Sequence, residues 1–180
     1  MRSFLAAALV AALTACAAKQ AHPEASETPP PPPEPVPASC DEPAAAAAAA
    51  RKAEDPGETT SAVFELAECE QLRWRADTSH PADKLKEIVA LYAEAIGGNL
   101  PKYVIGGHVR TGDLYLAASD KQKARTSYES GLTAADGADT NTRLDLDISD
   151  WVKAACKGTH QLGGQENKFK VCHPWKESWR

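Results

Sequence analysis

Cysteine is the residue type in this chain whose spacing most clearly indicates chemistry. The sequence has five cysteines, at Cys16, Cys40, Cys69, Cys156 and Cys172. A thiol can carry a lipid, pair in a disulfide or bind a metal, and the surrounding sequence decides between these fates. The chain has no HExxH, P-loop, GxSxG or paired CxxC motif. The sequence therefore predicts no catalytic residues and no enzyme.

Cys16 directly follows a short apolar segment at the N-terminus. Arg2 precedes ten apolar residues, 4–13, which would span roughly 15 Å as a helix, about half of a bilayer core. The segment is too short to cross a membrane. Its positive start, apolar centre and small residues at the end predict a signal peptide over residues 1–15.

The tetrapeptide Leu13-Thr14-Ala15-Cys16 resembles the lipobox of bacterial lipoproteins. The resemblance implies that the Cys16 thiol carries lipid, that the chain is cut before Cys16 and that the new amino group is acylated. Two or three acyl chains anchor a protein stably in a membrane. Ala17 stands where an aspartate would resemble the inner-membrane signal of enteric bacteria, so the outer membrane is favoured. A plain signal peptide with a coincidental cysteine is the alternative.

The other four cysteines are predicted to form two disulfides, because an exported chain enters an oxidising compartment. Four cysteines allow three connectivities. Cys156–Cys172 is favoured because it closes a loop of about 17 residues, a length that contributes on the order of 3 kcal/mol. Cys40–Cys69 follows by exclusion, although Cys40 can also stay free or pair between chains.

A metal site is the alternative for the C-terminal cysteines. Zinc ligands can come from Cys156, His160, Cys172 and His173, but their spacing is unlike paired zinc knuckles and the compartment favours disulfides. The sequence also has three closely spaced carboxylates, Asp145, Asp147 and Asp150. On a helix these side chains would point to different faces, so they are predicted to form a solvated helix surface rather than a calcium site. We expect no metal and no other cofactor.

Composition and charge divide the 180 residues into a leader, a linker, a domain and a tail. The formal net charge is −5, and no charged block is strong enough to indicate nucleic-acid binding. Residues 16–57 are predicted to be a Pro/Ala-rich linker, residues 58–158 an α-helical domain and residues 159–180 an aromatic, basic tail. The mature chain has room for one small domain.

The linker is predicted to act as a semi-rigid stalk. Seven prolines fall within residues 29–37, which favours an extended polyproline II conformation. A PxxP recognition motif is the alternative. A run of seven alanines, 44–50, predicts a short helix over about 43–54 with little apolar surface. Pro56-Gly57 is expected to end that helix.

Five helices are predicted after the linker because apolar residues recur with helical periodicity. The first starts at a cap among 59–61, and the fifth at Asp139 or Thr140. Lone histidines, His80 and His108, are expected in a loop and on a helix surface. The approximate helix ranges are 59–76, 82–97, 101–116, 120–135 and 139–157. Short connections between them predict an all-α, antiparallel helical array.

Four residues of the third and fourth predicted helices recur at regular spacings: Gly112, Tyr115, Ala124 and Tyr128. These spacings resemble those of the tetratricopeptide repeat, and the resemblance covers about residues 69–138. The chain departs from the family at His108 and Thr111, where Trp and Leu are usual, and at Asp136, near the expected Pro. An unrelated helical hairpin bundle is the alternative. The resemblance implies that the first helix of each pair lines a groove for a peptide or helix of a partner. On the better repeat it places these residues in that groove: Val109, Asp113 and Leu116.

These expectations together predict a lipid-anchored protein of the cell envelope, on the outer membrane with its domain facing the periplasm. Its expected role is that of a protein–protein interaction adaptor or assembly factor. The expected partners are the membrane, through Cys16, and an envelope protein, with no nucleic acid and no small-molecule substrate. A structural spacer between outer membrane and cell wall is the alternative. The tail, 169–180, is expected to fold over the last helix, held by Cys172, or to dock on a partner.

Overall fold

The computed structural model describes residues 35–176, and this part of the chain is mostly helical, without a strand. The all-α prediction is confirmed there. The predicted signal peptide, the lipobox and most of the proline run lie outside the described residues. None of the described helices is both long enough and apolar enough to cross a bilayer. The α-helices are α1 Asp41–Ala53, α2 Pro56–Ala76, α3 Ala82–Gly97, α4 Pro101–Ala117, α5 Lys121–Gly137, α6 Thr140–Arg143 and α7 Leu146–Gln161.

The start of α2 corrects two sequence predictions. Asp55 is the N-cap, and its Oδ1 accepts hydrogen bonds from the backbone N–H groups of Gly57 (2.8 Å) and Glu58 (3.0 Å). Pro56 opens α2 rather than ending α1, because proline lacks an N–H and suits the first helical turn. Thr60, one of the predicted caps, is buried inside the helix and donates its hydroxyl to the carbonyl of Pro56. The three predicted cap positions, 59–61, are therefore wrong.

The predicted fifth helix is two helices. Asp139 caps α6, as expected, by accepting from Thr142 N at 2.9 Å. Asp145 then caps α7, and its Oδ1 accepts from the backbone N–H groups of Asp147 (3.0 Å) and Ile148 (3.4 Å). A side chain that satisfies free N–H groups favours a new helix start over helix continuation. The chain therefore turns at residues 144–145.

Helix α1 belongs to the folded body, although the sequence placed it in the linker. Ala47 is fully buried and Cys40 is 3% exposed. The Cys40–Cys69 disulfide joins the start of α1 to α2, and Arg51 forms a bidentate ion pair with Glu94 of α3 at 2.7 Å. Small alanine side chains let α1 approach α2 closely, so a helix with few large apolar residues still packs. The linker prediction of 16–57 is corrected for residues 41–53.

The core consists of two apolar clusters that meet at Trp151. One lies among α1, α2, α3 and α4, and the other among α4, α5, α7 and the tail. Trp151 of α7 packs against both clusters, with its ring centroid 5.7 Å from that of Phe64. Phe64 also contacts Tyr92 at 5.5 Å and Tyr103 at 5.3 Å. Aromatic packing at this point joins the N-terminal and C-terminal halves of the folded body.

The described part of the tail folds back over the last helix, which confirms one of the two predicted alternatives. It forms two 3₁₀ helices, Glu166–Lys168 and Lys170–Trp175. The predicted Cys156–Cys172 disulfide ties the second of these to α7. The Asp136 carboxylate of α5 accepts hydrogen bonds from two tail N–H groups at 3.0 and 2.9 Å. A covalent bond and a charged hydrogen-bond acceptor thus hold the tail in place.

Candidate functional site

The predicted groove residues on α4 do not share an accessible surface. Val109 is fully buried within the cluster among α4, α5 and α7, so its assignment to a groove is wrong. Asp113 is half-buried and accepts a hydrogen bond from the Tyr128 hydroxyl at 2.7 Å. Leu116 is 38% exposed. Only Asp113 and Leu116 remain available to a partner.

Asp113 instead belongs to a charged surface built from three helices. Arg110 of α4 directs Nε and Nη2 toward Glu68 of α2, each at 2.9 Å. The Asp113 carboxylate lies 3.8 Å from both Arg110 and Arg75. Trp151 of α7 lies beside them, with the Arg110 guanidinium 5.8 Å from its ring centroid. We call this set the α2–α4–α7 face: Glu68, Arg75, Arg110, Asp113 and Trp151.

Trp151 packs against Gly106 of α4 and has two cations, Lys102 and Arg110, over its ring. A Cβ atom on Gly106 would lie 2.6 Å from Cζ3 of Trp151, so only glycine lets the ring approach α4 this closely. Lys102 Nζ lies 5.9 Å from the ring centroid and also contacts the carboxylates of Asp147 at 2.7 Å and Asp145 at 3.3 Å. These contacts restrict the tryptophan and the charges around it before any partner arrives.

A buried polar layer supports the face from below. The Tyr92 hydroxyl donates to Gln71 Oε1 at 2.6 Å, and both side chains are buried. Burial raises the pKa of Tyr92 and of Tyr128 well above the usual tyrosine value. Each phenol therefore stays protonated and keeps donating its hydrogen bond at physiological pH. Tyr128 thereby fixes the orientation of the Asp113 carboxylate on the face.

The face suits recognition better than catalysis. Its charges are paired with one another, and no side chain on it is placed as a nucleophile beside a base. The side chains of Arg75, Glu68, Arg110 and Asp113 are 39%, 34%, 27% and 22% exposed. They are open enough to contact a macromolecule and fixed enough to lose little conformational entropy when they do so.

The proposed zinc site has no thiolate ligands in this structure, because Cys156 and Cys172 form a disulfide with each other. His160 Nδ1 lies 3.2 Å from Glu166, and His173 contacts a backbone carbonyl. Within residues 35–176, no group of three His, Cys, Asp or Glu side chains is arranged to hold a metal ion. Two of the three carboxylates that were expected on different helix faces lie close together, since Asp145 and Asp147 both form ion pairs with Lys102.

His108 gives the fold a predicted acid sensitivity. Its side chain is half-buried in α4, and burial lowers its pKa below the usual value of about 6.5. Just below that pH, His108 binds a proton more readily in the unfolded chain than in the folded chain. We therefore expect stability to fall as the pH drops below about 6.5, and to level off once the folded state also titrates.

The check is urea unfolding of wild type and His108→Gln at pH 7.5, 6.5 and 5.5. The variant should lose less stability across this range than wild type. His173→Gln, which changes an exposed histidine, should retain the wild-type dependence. Equal dependence in wild type and His108→Gln would show that His108 is not the group responsible.

Most of the face was missed by sequence reasoning because its members come from different helices. Periodicity does place Glu68 and Arg75 at offsets 0 and 7 on one side of α2, and Arg110 and Asp113 at an interacting i,i+3 spacing. It does not say that those two sides face each other. The sequence indicates Trp151 only as an apolar position of the last helix and carries no signal for its contacts with two cations.

No protein-family model matches this chain, and no curated protein or solved structure matches it either. No activity is therefore transferred to it from a relative.

Proposed function

We propose that this chain is a lipid-anchored protein of the bacterial cell envelope that acts as a protein–protein interaction adaptor or assembly factor. Its lipid is carried by Cys16, and its helical domain faces the periplasm from the outer membrane. The α2–α4–α7 face binds the partner. The single observation that carries the adaptor role is this ordered, partly exposed surface of opposite charges around Trp151.

The composition of the face supports partner binding. Tryptophan and arginine are the residues most enriched among those that dominate binding energy at protein interfaces. Here a tryptophan lies between Arg110 and Lys102, and Arg75 is the most exposed charge of the set. A partner segment that carries both signs of charge would meet complementary groups along the face, which favours specificity.

A tetratricopeptide-like, antiparallel arrangement is part of the same proposal. Helices α2 and α4 would be the first helices of two successive pairs, completed by α3 and α5. In that family the first helices line the binding groove, and here α2 and α4 supply most of the face. The close approach of Gly112 to the Tyr128 ring and the full burial of Ala124 support this assignment.

Export to an oxidising compartment is supported by the pairing of all four cysteines other than Cys16. Disulfides form and persist in such compartments and are rare in the cytosol of most organisms. The lipobox-like tetrapeptide that ends at Cys16 adds the anchor to this assignment.

Cys16→Ser tests the anchor. In cells fed an alkyne-tagged fatty acid, wild type should become labelled and sediment with membranes, because its acyl chains insert into lipid. Cys16→Ser should lose essentially all of the label and leave the membrane fraction. Cys40→Ser, which removes a disulfide-bonded cysteine outside the lipobox, is the control and should be labelled as wild type. Labelling of Cys16→Ser would refute lipidation at Cys16.

Arg75→Glu tests the adaptor role. In cells that naturally produce the chain, chemical crosslinking followed by mass spectrometry should recover a specific envelope protein with wild type. The variant should recover at least about tenfold less, because a reversed charge beside Asp113 disrupts complementarity. Lys157→Glu makes the same charge change on an exposed site of α7 and should behave as wild type.

The spacer alternative is favoured by the proline-rich composition of residues 29–37. It predicts that envelope integrity depends on the length of this segment and is indifferent to Arg75→Glu. The adaptor role predicts the reverse, since shortening a tether by a few residues leaves the binding face intact. Comparing a deletion of 29–33 with Arg75→Glu separates the two roles.

A further inference from the structure

An apolar pocket lies between α7 and the C-terminal 3₁₀ helix, and none of its wall residues belongs to the α2–α4–α7 face. Its volume is about 310 Å³. The apolar part of its wall comes from both elements and comprises Ile148, Val152, Val171, Pro174 and Trp175. The Cys156–Cys172 disulfide holds the two elements together, so the pocket is a built feature of the oxidised fold.

Two cations that have no ion-pair partner among residues 35–176 line this pocket. Arg143 and Lys170 both contribute to its wall. Within residues 35–176, neither side chain has a carboxylate within salt-bridge distance, whereas nearby Lys168 is paired with Glu129. Asp136, which faces the tail, accepts hydrogen bonds from the backbone N–H groups of Lys170 and Val171. The pocket thus offers uncompensated positive charge in a chain whose net charge is −5.

Two exposed leucines neighbour the pocket's wall residues in sequence. Leu144 and Leu146 are 72% and 82% exposed, the highest values among the large exposed apolar side chains of the described residues. They lie in sequence between Arg143 and Ile148, which are both wall residues. A pocket of this volume is at the small end for ligand sites and has room for only one or two side chains. A small ligand would leave both leucines in water.

We propose that this pocket and its two leucines form a second docking surface, which takes an acidic amphipathic helix of a partner protein. An apolar side chain of that helix fills the pocket, and its carboxylates pair with Arg143 and Lys170. Neighbouring apolar residues of the helix cover Leu144 and Leu146. This is the helix-in-groove mode of peptide recognition. The proposal stands independently of the α2–α4–α7 face, and an adaptor needs two such surfaces to join two partners.

The test measures binding of a fluorescein-labelled, 14-residue helical peptide to the full chain with both disulfides oxidised. The peptide carries leucine on one face and glutamate on the other, and a second peptide has lysine in place of every glutamate. Fluorescence anisotropy at increasing salt gives Kd. The acidic peptide should bind at least about tenfold more tightly than the basic one, and its affinity should fall as salt screens the charges.

Three variants locate the site. Arg143→Glu and Lys170→Glu should each weaken binding of the acidic peptide about tenfold or more, and Ser149→Phe should block it by filling the pocket. Lys157→Glu is the matched charge control and should leave Kd unchanged. Circular dichroism confirms the fold of each variant. Equal weakening by Lys157→Glu would overturn the proposal, because the effect would then be one of net charge.

Two further results would overturn the proposal in favour of another occupant. Dodecanoate that binds at the pocket while the acidic peptide does not would identify a small anionic amphiphile. Self-association that Ser149→Phe abolishes would identify a second copy of this chain. Because Arg75 is unchanged in every variant, failure here leaves the adaptor role of the α2–α4–α7 face to its own test.

Discussion

Replacing Cys156 and Cys172 together by serine should lower the free energy of unfolding by about 3 kcal/mol. The cysteines are 16 residues apart, and a crosslink that closes a loop of this length restricts the unfolded chain by about that amount. In the folded variant the structural change is confined to the tail. The tail is then held by its hydrogen bond to Asp136 and by the burial of Phe169. Urea unfolding of the oxidised wild type and the double variant measures the difference.

The Cys40/Cys69 double serine variant is the matched control for the tail. That disulfide spans 29 residues, and its loss should cost about 3.5 kcal/mol while releasing α1 rather than the tail. Amide hydrogen exchange separates the two effects: protection should fall at 166–176 in the first variant and at 41–53 in the second. A loss below about 1 kcal/mol for Cys156/Cys172 would contradict the assigned role of the tail disulfide.

Gly112→Ala should destabilise the fold by about 1–3 kcal/mol, because the core has no room for the added methyl group. A Cβ there would lie 2.6 Å from Cδ1 and Cε1 of the Tyr128 ring. The ring has little room to shift, since a Cβ on Gly158 would likewise lie 2.6 Å from Cε2 on its opposite edge. The Tyr128 hydroxyl is also held by Asp113. The steric strain therefore falls on the packing of α4 against α5.

Gly97→Ala is the control, since a Cβ at Gly97 meets nothing within 4 Å. Alanine there should be neutral or slightly stabilising, because it is the better helix former. Thermal unfolding compares the two variants, and Gly158→Ala should resemble Gly112→Ala. If Gly112→Ala matched the Gly97→Ala control, the close packing of Tyr128 between the two glycines would be refuted.

The sequence predicted helix bounds well where residues at the two ends of the helix are enough to set them. Helix α3 has the predicted bounds of 82–97, because Pro81 precedes its first residue and glycines follow its apolar stripe. Both predicted disulfides are confirmed. Loop length favours Cys156–Cys172 among the three connectivities, and Cys40–Cys69 then follows by exclusion. The last predicted helix is split in two because the Asp145 side chain binds backbone N–H groups and starts a new helix. The apolar periodicity runs through this point and does not show the break.

The remaining differences come from contacts between residues far apart in sequence. The composition of α1 predicts a linker, whereas its ion pair from Arg51 to Glu94 and the Cys40–Cys69 disulfide place it in the folded body. Val109 is a plausible groove residue by resemblance, yet the packing of α5 and α7 buries it. The α2–α4–α7 face arises because Glu68 and Arg110, 42 residues apart, lie side by side. Periodicity within one helix contains no information about such partners.

The adaptor role is tested most directly by photo-crosslinking from defined positions in living cells. Benzoylphenylalanine would replace Arg75 or Glu68 on the face, and Lys157 or Lys121 at exposed sites away from it. The account predicts that the two face positions capture the same envelope protein, and that the two control positions do not. Capture of that protein equally from all four positions, or from none, would contradict a partner bound at the α2–α4–α7 face.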